Sequence, residues 1–102
     1  MKMHSALTAC VLATVSGWGQ AQPVDPLQVR SMAASCATCH GTNGVAQTGN
    51  ESLAGVNKDE LLKKMLDFKT GKKPATIMHQ LSKGYSDEQL AALASYFSAL
   101  KQ

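Results

Sequence analysis

Cys36-Ala37-Thr38-Cys39-His40 brings two thiols and an imidazole together within five residues. On a helical turn positions i, i+3 and i+4 share one face, so Cys36, Cys39 and His40 point the same way. Three chemistries use such a set. A dithiol redox pair needs only Cys-x-x-Cys, but it belongs in a βαβ context, and no strand-rich apolar run flanks this one. A zinc site needs a fourth ligand, for which His79 is the candidate on paper. Covalent attachment of a c-type haem uses all three residues, the thiols forming thioethers to two vinyl groups of one porphyrin while the imidazole reaches its iron. The spacing therefore predicts one haem held by Cys36 and Cys39, with His40 as the proximal iron ligand.

The distal side of the iron has four candidates: Met32, Met65, Met78 and His79. Met32 lies too close to the attachment site on the same predicted helix. Met65 falls in an apolar stripe, where a flexible thioether serves as core packing. Met78 and His79 remain, and His/Met ligation is the usual electron-transfer pairing for this cofactor, which favours Met78 and leaves His79 as a surface histidine. With both axial positions filled, the iron changes charge without binding oxygen, peroxide or a substrate. That describes an electron carrier, with a thioether favouring the ferrous state. A haem sensor or peroxidase would instead need an open distal site.

The elements that must position these residues are helical. Asp25 before Pro26 is an N-cap followed by a first-turn proline, and Val29, Met32, Ala33 and Cys36 continue an apolar stripe into the haem motif. Residues 41–56, punctuated by Gly41, Asn43, Gly44, Gly49, Asn50 and Gly55, read as an irregular loop long enough to wrap a haem edge. Asn57 and Glu60 open a second helix carrying Leu61, Leu62, Met65, Leu66 and Phe68, with Gly71 as its C-cap. After Lys72-Lys73-Pro74, Ala75 to Lys83 suit a short helix containing Met78. Ser86 and Gln89 form a capping box before Leu90, Leu93, Ala94, Phe97 and Leu100. The expected architecture is all-α: three main helices and a short one around one covalent haem.

Residues 1–21 read as a signal peptide, with Lys2, an apolar run from Ala6 to Val15, and Gly19-Gln20-Ala21 as a cleavage site after Ala21. Residues 22–102 then form the monohaem domain. Cleavage removes Cys10 and Trp18 and leaves the two motif cysteines. The apolar run is too short to span a bilayer, so no membrane anchor is expected. Export suits the cofactor, because bacterial c-type haem is ligated after the chain has crossed the membrane, and the periplasm is the expected compartment. A net charge of +3 over 102 residues, which falls with the loss of Lys2, gives nucleic-acid binding no support. Lys58, Lys63, Lys64, Lys69, Lys72, Lys73 and Lys83 concentrate in the middle third, as a solvated face or a docking patch.

On these residues the chain resembles a class I cytochrome c. Asp67-Phe68-Lys69-Thr70-Gly71, Thr76-Ile77-Met78, Lys83-Gly84-Tyr85-Ser86 and Ala94-Ser95-Tyr96-Phe97 are similar to the cytochrome subunit of flavocytochrome c sulfide dehydrogenase. The resemblance implies Met78 as distal ligand, a flavoprotein (FAD) partner that oxidises sulfide, and a downstream redox carrier that takes the electrons onward. The alternative is a freely diffusing periplasmic cytochrome c serving an oxidase or reductase. Related cytochromes often place a proline two residues before the Leu-Ala pair, its carbonyl accepting the proximal histidine's N–H. Here Glu51 precedes Ser52-Leu53-Ala54, leaving that acceptor to the Glu51 backbone.

Overall fold

The computed structural model describes Gly19 and residues 22–102 and contains four α-helices there. The first, α1 (Pro26–His40), starts where its sequence signals lie: the Asp25 carboxylate accepts from the Leu27 N–H at 3.4 Å, and Pro26 occupies a first-turn position that needs no donor. Its stripe buries Val29 and Ala33, with Met32 and Cys36 partly buried against the same cluster. Gly41 ends the helix at φ 85°, ψ 155°, its N–H bonded to the Ala37 carbonyl.

The second helix, α2 (Lys58–Thr70), is capped by Asn57, whose side-chain oxygen accepts from the Asp59 and Glu60 amides at 3.0 and 3.1 Å. Gly71 closes it in the left-handed conformation, φ 81°, ψ 7°. The short helix α3 spans Met78–Lys83, three residues less than the expected start at Ala75. Lys73 donates its amide to the Asp67 carbonyl, holding the chain in a turn, and helical bonding begins only when Gln80 and Leu81 reach the Ile77 carbonyl at 2.9 and 3.1 Å. The last helix, α4 (Asp87–Ser98), has the expected reciprocal capping box: Gln89 N–H to Ser86 Oγ at 3.1 Å, and Ser86 N–H to Gln89 Oε1 at 2.9 Å.

Helix α4 is the hub. It buries Leu90, Leu93, Ala94 and Phe97, and packs against both α1 and α2, while α3 packs on α2. The central cluster joins Val29 and Ala33 of α1, Leu61 of α2, and Leu93, Ala94 and Phe97 of α4. This is a small core for a domain of such length, the setting in which a cofactor or metal commonly completes the fold.

The loop between α1 and α2 is folded back on itself. A 3-10 turn at Thr42–Gly44 buries Gly44, whose carbonyl accepts from Leu53 and Ala54 at 2.8 and 3.0 Å. Ser52 Oγ takes the Ala46 amide at 2.9 Å. Among the described residues no helix is long and apolar enough to cross a membrane. The expected signal segment, with Cys10 and Trp18, lies outside the described residues except for Gly19.

Candidate haem site

The last turn of α1 carries Cys36, Cys39 and His40. Cys36 is half-buried with Sγ 3.7 Å from the Met32 carbonyl, and Cys39 is exposed. Burial pushes the Cys36 thiol up, against hydrogen bonds that lower it, which is the opposite of the stabilised thiolate of a dithiol oxidoreductase. Among the described residues no three His, Cys, Asp or Glu side chains converge to hold a metal ion.

His40 Nδ1 lies 2.5 Å from the Glu51 carbonyl oxygen. A carbonyl only accepts, so Nδ1 carries the proton and the ring lone pair sits on Nε2, free to bind iron. The expected backbone acceptor at Glu51 is therefore in place without a proline.

Met78 opens α3 and is half-buried, outside the central apolar cluster against which Met32 and Met65 pack. His79 differs from the surface histidine expected. It is half-buried, and its Nδ1 is enclosed with no hydrogen-bond partner among the described residues. The reason is the packing of so short a helix on α2: His79 and Ser82, three apart, share its inward face. Ser82 is 1% exposed and its hydroxyl also lacks a hydrogen-bond partner among the described residues. Sequence reasoning passed over Ser82, for which the spacing from His79 was the available signal.

Three large apolar side chains close in sequence to these ligands stay open to solvent: Val45 in the loop after His40, and Ile77 and Leu81 on either side of Met78, at 48%, 54% and 47% exposure. Exposed apolar side chains beside ligand positions in the chain suit contact with a haem.

The basic run is partly internal bracing. Lys63 pairs with Asp67 at 2.6 Å, and Lys64 with Glu51 at 2.5 Å. Lys69 reaches both Asp87 at 2.7 Å and the Tyr85 carbonyl at 2.8 Å. Asp67 is held below its usual carboxylate range chiefly by its hydrogen bond from Lys63. Lys72, Lys73 and Lys83 are exposed and have no ion-pair partner among the described residues.

A helical domain with a Cys-x-x-Cys-His face at the end of its first helix is the architecture of a c-type cytochrome. Residues 29–101 match the family model described as Cytochrome c. The chain is 32% identical over 81 residues to the cytochrome subunit of sulfide dehydrogenase of Chlorobaculum tepidum, covering 79% of this chain and 74% of that protein. It is 40% identical over 73 residues to cytochrome c4 of Pseudomonas aeruginosa, covering 71% of this chain and 36% of that protein. The solved cytochrome c4 of Acidithiobacillus ferrooxidans superposes with a TM-score of 0.63 at 29% identity, over 65% of this chain and 38% of that one. The chain thus spans little more than a third of either cytochrome c4. It belongs to the cytochrome c family, and as such is an electron carrier with covalent haem c, with one attachment motif in its 102 residues.

Proposed function

We propose that this chain is the periplasmic electron-accepting subunit of a flavoprotein sulfide dehydrogenase, with residues 1–21 as its signal peptide and residues 22–102 as its haem domain. In this reading Cys36 and Cys39 hold the haem by thioethers, His40 is the proximal ligand and Met78 the distal one. The bound haem supplies a one-electron ferric/ferrous couple. The residues do the rest: Glu51 holds the His40 ring by Nδ1 and leaves Nε2 free, Met78 contributes a soft donor, and Val45, Ile77 and Leu81 exclude water from the ring.

The observation that carries the proximal assignment is the His40–Glu51 contact, since it favours the tautomer that a ligand imidazole needs. The partner reading is supported by the Chlorobaculum tepidum relative, which this chain parallels over most of both lengths. The exposed Lys72, Lys73 and Lys83 favour a second reading, a diffusing carrier that docks by charge.

Copurification and a sulfide assay separate the two. A subunit coelutes with a flavoprotein at high salt, and its haem is reduced by sulfide only when that flavoprotein is present. A monomer whose electron transfer falls steeply as salt screens its lysines is a diffusing carrier, with the small polar contact of weak redox encounters.

A further inference from the structure

We infer that the Lys64–Glu51 ion pair is a positioning device for the proximal imidazole, bracing from α2 the peptide group that orients His40. The inference rests on the assignment of His40 to the iron. Glu51 serves twice: its carbonyl accepts from His40 Nδ1, and its carboxylate Oε1 accepts from Lys64 Nζ, each at 2.5 Å.

The chain on the two sides of Glu51 is held unequally. Downstream, Ser52, Leu53 and Ala54 are pinned to Ala46 and Gly44 by three hydrogen bonds. Upstream, residues 47–50 are exposed and, among the described residues, close on themselves through Asn50 N–H to the Gln47 carbonyl at 3.1 Å. Lys64, with its side chain 22% exposed on α2, supplies the tie to a rigid element at this boundary.

Such a pair adds little to global stability, because Glu51 is 56% exposed and screened by water. Its effect lies in direction. Hydrogen bonds weaken steeply as they lose alignment, and the bond at Nδ1–H sets how strongly the other ring nitrogen donates to a metal. A looser Glu51 carbonyl makes His40 a poorer donor and favours ferrous iron. Losing the brace therefore raises the reduction potential, whichever partner is removed. A direct field effect behaves otherwise: loss of the Lys64 cation lowers the potential, loss of the Glu51 anion raises it, and loss of both nearly cancels.

The test uses the haem-loaded protein with K64Q/E51Q, which leaves net charge unchanged, and the swap K64E/E51K. The expected result for the double neutral variant is a threefold shift of the redox equilibrium towards ferrous, about 28 mV at 59 mV per tenfold. The swap returns the potential to the parent value. Solvent exchange of the His40 Nδ1 proton, followed by NMR in the ferrous state, is expected to quicken in the neutral variant and slow again in the swap. An unchanged potential in the neutral variant, or a swap that behaves like it, overturns the proposal. Failure of the underlying assignment is distinct, since the unmutated ferrous protein would then show no iron-bound His40 ring.

Discussion

Gly41, directly after the proximal histidine, is the position where one added methyl group should do most damage. Its φ of 85° and ψ of 155° lie in a region essentially reserved for glycine, costing roughly 1–3 kcal/mol for any other residue. A Cβ built there would stand 1.7 Å from the Val45 carbonyl oxygen and 2.4 Å from its carbon, both backbone atoms. To reach ordinary contact at 3.4 Å the Val45 carbonyl must retreat by about 1.7 Å. That movement breaks the 3-10 turn, whose bonds run from Gly44 to Gly41 at 3.0 Å and from Val45 to Thr42 at 3.4 Å, each worth roughly 1 kcal/mol. Strain and lost bonds together make Gly41→Ala about 3–5 kcal/mol less stable, a fall in Tm of about 12–40 °C for a domain of this size. Gly49 is the control: φ is 100°, nothing lies within 4 Å of its added Cβ, and only the positive φ is penalised, by roughly 1–2 kcal/mol. Thermal unfolding of the two haem-loaded variants by circular dichroism compares them directly. A Gly41→Ala protein that melts within a few degrees of Gly49→Ala would refute the claim that the turn after His40 is sterically closed.

Met78→Ala should lose the weak far-red band of thioether-ligated ferric haem, lower the potential and admit cyanide or carbon monoxide, while His79→Ala does none of these; reversed behaviour assigns the iron to His79. Denaturing mass spectrometry should find one haem that acid-acetone does not extract, and Cys36→Ala or Cys39→Ala should lower retention and destabilise the fold; two haems, or zinc instead, contradict this. Asp67 has a folded pKa lowered from its usual 3.8, so the contribution of its Lys63 contact is complete above that value and is lost as pH falls through the lowered pKa. Asp67→Asn should therefore flatten the acid limb of a stability-against-pH profile there, and an unaltered limb removes the contact from the account.

What was legible in the chain was local. Asp25, Asn57, Gly71 and the Ser86–Gln89 box signal helix ends through bonds only a few residues long, and each makes the bond its type suggests. The haem motif was legible for the same reason, being a pattern within one turn. Non-local placement left no periodic trace. Lys64 and Glu51 are 13 positions apart and meet only because the loop folds back under α2. Gly44 read as a generic loop residue, whereas its burial against Ala54 and Phe97 makes it a packing position. The inward turn of His79 and the burial of Ser82 follow from how α3 lies on α2, which spacing along six residues does not encode.

The dependence of α1 on α4 also sets an order of events during biogenesis. Val29 and Ala33 are covered by Leu93, Ala94 and Phe97, which lie far along the chain from them. Until α4 docks, the helix bearing Cys36 and Cys39 lacks much of the surface it packs on, and contacts so distant in sequence are slow to form. The thiols of α1 therefore stay accessible for haem attachment until α4 docks, and the packing of α4 closes the core behind them.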